Sequence, residues 1–121
     1  MTRTYRDYLA DILTAATDAQ AFVEAISFED FLANKEKQYA VLRAMEIIGE
    51  AAGRIPTEWR SRYADLPWRE MVGMRNIVIH HYFGVDEAVV WRTIQEDLPP
   101  LIETLARILA GDLSDEGPPT G

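Results

Sequence analysis

The run Arg75-Asn76-Ile77-Val78-Ile79-His80-His81-Tyr82-Phe83-Gly84 holds the chain's only two histidines, beside an arginine, an asparagine and a tyrosine. An imidazole takes or gives a proton near neutral pH. A guanidinium stabilises negative charge growing on a phosphoryl oxygen. Together they suffice to cleave RNA without a metal. One imidazole draws the proton from a 2′-hydroxyl, whose oxygen attacks the adjacent phosphorus. An imidazolium protonates the departing 5′-oxygen while the guanidinium holds the crowded phosphate. The products are a 2′,3′-cyclic phosphate and a 5′-hydroxyl. The competing reading is structural: Asn76 bonds His80 one turn on, and Tyr82 and Phe83 pack the end of a helical bundle.

Helical geometry constrains the catalytic reading. On an ideal helix Arg75 and His80 stand about 140° and 7.5 Å apart, so they do not share a face. Asn76 and His80 do, at i and i+4. Arg75 and Tyr82 fall nearly in line if the helix continues that far. For Arg75 and His80 to reach one phosphate, the helix must end near His80, or a second copy of the chain must complete the site. A symmetric dimer would bring one His80 from each subunit to a shared cleft. Arg75 and His80 are thus the catalytic candidates, with Asn76 and His81 in support.

Other chemistries are absent from the sequence. With no cysteine there is no thiol nucleophile, disulfide or zinc knuckle, and a reducing cytoplasm is the expected compartment. No glycine-rich phosphate loop, H-x-x-x-H pair or G-x-S-x-G elbow occurs. Glu46 and Glu50 lie one turn apart but lack the histidines of a di-iron bundle, and adjacent His80 and His81 point to different sides of a helix. No metal and no cofactor is therefore expected. Apolar runs are too short to span a bilayer, and no leader segment is visible, so no membrane partner is expected.

The net charge of −8 repels nucleic acid on average, but it is unevenly spread. Between Arg54 and Arg75, five arginines (54, 60, 62, 69, 75) face Glu58, Asp65 and Glu70, a balance of +2; the rest of the chain carries −10. Arg54, Arg60, Arg62 and Arg69 read as solvated or paired, with Arg69 kept as a candidate phosphate contact. Trp59, Trp68 and Trp91 read as packing or interface anchors.

The elements that must position these residues are all helical. Apolar residues recur at three- and four-residue steps from Thr4 to Ile26. Ser27, with Asp30 three residues on, starts a short turn over residues 28–33. Asn34 caps a second long helix that Gly53 and Pro56 end, with Gly49 inside it allowing close helix approach. A short helical piece covers 57–63. Pro67 opens a helix from Trp68 to His80 or His81, and Asp86 caps a last one that Pro99-Pro100 should kink or interrupt. Residues 1–111 read as one all-α domain, an antiparallel bundle of four main helices with one or two short extra ones. Residues 112–121 read as a disordered acidic Gly/Pro tail.

Arg75, four residues, His80, one residue, Tyr82 resembles the R-x4-H-x-Y motif of HEPN-domain toxins, specifically the HepT-like ribonucleases. Arg6-Asp7-Tyr8-Leu9, Glu46-Ile47-Ile48-Gly49-Glu50-Ala51-Ala52, Pro67-Trp68-Arg69, Gly73-Met74-Arg75-Asn76 and Tyr82-Phe83-Gly84-Val85-Asp86 resemble the same family in order. The resemblance covers about Arg6 to Leu109. It implies an all-helical HEPN fold, a homodimer (or higher oligomer) with a composite cleft, and metal-independent RNA cleavage by Arg75 and His80. It also implies a cognate nucleotidyltransferase antitoxin of the MNT type that transfers AMP onto Tyr82. The alternatives are a non-catalytic HEPN module that binds a partner or nucleotide, and a helical dimerisation adaptor.

Overall fold

The computed structural model describes residues 3–82 and 86–111. Among them the regular structure is helical: α1 (Tyr5–Phe22), α2 (Phe28–Leu32), α3 (Lys35–Gly53), α4 (Thr57–Arg60), α5 (Trp68–Tyr82), α6 (Glu87–Arg92) and α7 (Leu98–Ala110). α1, α3 and α5 are long, and α6, a π turn and α7 run on as the fourth long helix, so the expected four main helices and two short extra ones, α2 and α4, are present. Phe83 to Val85 and the tail 112–121 lie outside the described residues.

Side-chain caps set where several helices start. Thr4 with Asp7, and Ser27 with Asp30, form reciprocal capping boxes, each bonding the backbone N–H of the other. Asn34 accepts from the Lys37 N–H, and Asp86 from the Ala88 N–H. Each such bond satisfies a donor that the first turn leaves open, an effect of about 1 kcal/mol. The end of α1 departs from the periodicity. The apolar pattern runs on to Ile26, but the helix stops at Phe22 and Ala25 takes φ 63° to turn the chain into α2.

The long helices pack antiparallel. The Arg6 guanidinium donates to the Leu109 carbonyl at 2.7 Å, joining the start of α1 to the end of α7. Lys37 Nζ donates to the Phe22 carbonyl at 2.7 Å, joining the end of α1 to the start of α3. α3 packs on α1 and on α5, so it is the central helix. Leu9, Ile12, Ala16 and Ala19 of α1 meet Val41, Leu42, Met45 and Ile48 of α3 in one core, with Met71, Met74 and Val78 of α5 and Leu98, Leu101 and Leu105 of α7. Trp59 is buried edge-on to Tyr5, and Trp91 lies against Phe28 and Phe31. Both are packing anchors.

The expected interruption near Pro99-Pro100 is a single π-helical turn, Thr93–Asp97, placed immediately before them. The prolines lack the N–H groups that would bond back one turn, so the ladder widens there and α7 restarts with proline in its first turn. Asp97, in this turn, lines a shallow hollow with Asp65, Glu70 and Glu96. Partial burial raises its pKa, Glu70 and Glu96 raise it further, and Arg92 opposes them.

A carboxyl whose folded pKa lies above its unfolded one holds its proton more tightly in the folded state. Stability therefore falls as pH rises from the unfolded value of 3.8 through the raised folded value. Asp97→Asn is expected to raise the thermal unfolding midpoint at neutral pH modestly. The gain should vanish below the unfolded carboxyl pKa, and calorimetry across pH 3 to 7 (roughly the carboxylate titration range) checks it.

Candidate active site

The catalytic candidates stand on α5, whose inward stripe is Met71, Met74 and Val78. Those three positions fix the rotation of the helix and leave Arg75, Asn76, Ile79 and His80 facing solvent. Ile79 is 44% exposed, a large apolar side chain uncovered between Asn76 and His80.

Arg75 is placed by α3. A Cβ at Gly49 would fall 2.7 Å from Arg75 Cγ, closer than carbon atoms can pack, and 3.0 Å from its backbone nitrogen. The absent side chain is what lets the aliphatic stem of Arg75 lie against the α3 backbone. Gly49 thus performs the expected close approach, and its partner is the motif arginine itself. The guanidinium borders two adjoining hollows. One, of about 310 Å³, lies between α3 and α5 over Gly49, Gly53 and Val72. The other, of about 680 Å³, includes Trp68, Arg69, Gly73 and Asn76.

Arg75, Asn76 and His80 carry side chains with no hydrogen bond or ion pair among the described residues, as does Arg69. The neighbouring arginines differ. Arg60 donates to the Ile55 carbonyl at 2.8 Å and the Ala52 carbonyl at 3.2 Å, and lies over the Trp68 ring. Arg62 lies over the Trp59 ring. The expectation that the nearby arginines are solvated or paired thus holds for these two by pairing.

The two histidines part company. His80 is exposed, whereas the His81 side chain is 12% exposed and its Nε2 lies 3.0 Å from Glu87 Oε1. That contact ties the end of α5 to the first turn of α6. Adjacent helical positions point about 100° apart, which is why one imidazole reaches solvent and the other a carboxylate. Glu87 is the site neighbour that sequence reasoning missed; an acidic residue six positions after a histidine carries no recognisable signal. Among the described residues, no three metal-ligating side chains converge.

α5 runs on to Tyr82, past His80. Of the two ways to bring Arg75 and His80 to one phosphate, an early helix end is thereby removed. Position 82 follows position 75 by nearly two turns, about 20° around and 10.5 Å along the axis.

Residues 12–108 match the ribonuclease HepT-like family. A protein of Thermococcus cleftensis named "Probable ribonuclease HepT" is 50% identical over 101 residues, covering 84% of this chain and 92% of its own. One of Methanocaldococcus jannaschii named "Putative RNase MJ1380" is 44% identical, covering 82% and 91%. One of Caldanaerobacter subterraneus named "Putative RNase TTE0752" is 40% identical, covering 88% and 96%. No solved structure matches the chain at a significant level.

The glycines of the site separate by what surrounds them. Gly49→Ala is expected to destabilise the fold by about 1–2 kcal/mol, because overpacking against Arg75 outweighs the better helix propensity of alanine. At Gly73 an added Cβ meets nothing within 4 Å. Gly73→Ala is expected to stabilise, by up to about 1 kcal/mol. Urea unfolding of both variants reads the opposite signs.

Proposed function

Because the chain belongs to the HepT-like ribonuclease family, we propose that it is the endoribonuclease toxin of a toxin–antitoxin pair, cutting RNA without a metal through Arg75 and His80. The observation that carries this reading is the pair of exposed, unpaired motif side chains on α5, within a chain whose relatives are named as ribonucleases.

In this mechanism the 2′-hydroxyl loses its proton to one neutral His80 imidazole as its oxygen bonds to phosphorus. The phosphorus–5′-oxygen bond breaks, and a protonated His80 gives that oxygen its proton. The Arg75 guanidinium donates hydrogen bonds to the equatorial phosphoryl oxygens, where charge accumulates. Acid and base require two imidazoles. His81 is held by Glu87, so the second imidazole is the His80 of a second copy in a homodimer. Asn76, one turn before His80 on the same face, orients the phosphate.

A nucleotidyltransferase antitoxin would silence the site through Tyr82. The tyrosine oxygen attacks the α-phosphorus of ATP, pyrophosphate leaves, and a phosphodiester with its nucleoside remains at position 82, nearly two helical turns after Arg75. Its negative charge competes for the guanidinium, and its bulk excludes RNA.

Expression of the chain alone in a bacterial host is expected to arrest growth with RNA breakdown, and Arg75→Ala or His80→Ala to abolish both while circular dichroism stays unchanged. Equal harmlessness of all three folded proteins would instead leave a binding module. Mixed in vitro at equal amounts, His80→Ala chains should lower the activity of each wild-type chain by about half, since a mixed dimer lacks one imidazole. Unchanged activity per wild-type chain would mean that each chain cuts alone.

With the cognate nucleotidyltransferase and ATP, mass spectrometry should find AMP added to the wild type and none on Tyr82→Phe. A phenylalanine variant that gains the same mass would place the modification elsewhere.

A further inference from the structure

Arg54 is the third arginine of the central segment whose guanidinium has no hydrogen bond or ion pair among the described residues, after Arg69 and Arg75. It ends α3, and it lines the same hollow as Arg75, over Gly53 and Val72. Val72 and Arg75 are also walls of the larger hollow that holds Arg69 and Gly73. The two hollows are therefore one trough that crosses from α3 over α5, with unpaired guanidinium groups at both ends and in the middle. Glu50 is its one carboxylate among the described lining residues.

Elsewhere the described arginines are largely engaged. Arg3 pairs with Asp11, Arg43 with Glu46 and Arg107 with Asp65, and Arg6 is held by the Leu109 carbonyl. In a chain of net charge −8, three unpaired guanidinium groups around one trough make a local anion track on a repelling background.

We infer that this trough is the path of single-stranded RNA, with Arg54 and Arg69 holding the phosphates that flank the one at Arg75. The inference rests on the ribonuclease reading for its ligand. The trough crosses two neighbouring helices, whose axes lie about 8–10 Å apart. Between the arginines its lining is partly apolar, with Val72 and Ile79 among its walls, as suits unpaired bases. Single strands are also the form in which the 2′-oxygen reaches a line with the departing 5′-oxygen, a geometry that the regular A-form duplex does not offer.

The probe is a fluorescein-labelled 2′-O-methyl oligouridylate, which lacks the attacking hydroxyl and stays intact. By fluorescence anisotropy, Arg54→Ala and Arg69→Ala should each weaken binding by about 3- to 10-fold. Each should also reduce the slope of log K against log salt by about 0.7, the loss of one phosphate contact on a single strand. Gly53→Glu and Gly73→Glu, at positions where an added Cβ meets nothing within 4 Å, should weaken binding by 10-fold or more (about the effect of a repelling charge in the track), with unfolding midpoints preserved. Lys35→Ala and Arg107→Ala, outside the trough, should leave binding unchanged.

Affinity indifferent to Arg54, Gly53 and Gly73 would overturn the inference, as would tighter binding of a duplex probe. Loss of dimer in sedimentation, with RNA affinity intact, would overturn it too, by making this face a contact between copies. Cleavage of unmodified RNA by the wild type is scored separately. A wild type that cuts while the trough variants bind normally keeps the ribonuclease and loses the track; one that binds through the trough and never cuts does the reverse.

Discussion

The close contact between α3 and α5 at Gly49 governs the rest of the arrangement. Two helices that meet without a Cβ between them approach backbone to side-chain stem, and here the stem belongs to Arg75. A long, flexible cation on an exposed helix face ordinarily samples many rotamers, each at little cost. Packing its Cβ and Cγ against the α3 backbone removes much of that freedom before any ligand arrives. The guanidinium then starts beside two hollows, with its hydrogen-bonding edge still open. A single missing methyl group thus links the packing of the bundle to the chemistry on its surface.

Charge follows the same division. Arg6 and Arg60 donate to backbone carbonyls, and Arg60 also covers the Trp68 ring, so part of the positive charge braces the fold. Arg54, Arg69 and Arg75 brace nothing and stand together. Acidic residues dominate elsewhere, so the repulsion of a polyanion is weakest at this one place. Bulk acidity and RNA binding are therefore compatible, because the field that matters is local. The histidines show a parallel split: His81, nearly buried, fastens α5 to α6 through Glu87, and His80, one residue earlier, remains accessible.

Much of the fold was legible because its signals are local. Ser27, Asn34 and Asp86, read as caps, all precede helices and all cap them through their own side chains. The inward stripes of α1, α3 and α5 follow the helical period. Legibility failed where the outcome depends on distant atoms. Nothing in Glu24-Ala25-Ile26 announces that α1 ends early, since alanine at φ 63° has no local preference for that conformation. Pro99-Pro100 signalled an interruption but left open its form, which is a π turn over Thr93–Asp97.

The sequence alone determined the helical class, most element starts, and the residue types able to move protons and hold a phosphate. It also placed Arg75 and His80 on different faces if the helix continued. Tertiary structure decided that α5 does continue to Tyr82, that Gly49 receives Arg75, that His81 belongs to Glu87, and that Arg54 and Arg69 border one trough with Arg75. The physical reason is range. Caps and hydrophobic periods act within a few residues, whereas side chains 26 positions apart, as Gly49 and Arg75 are, become neighbours only once antiparallel packing sets the register between their helices.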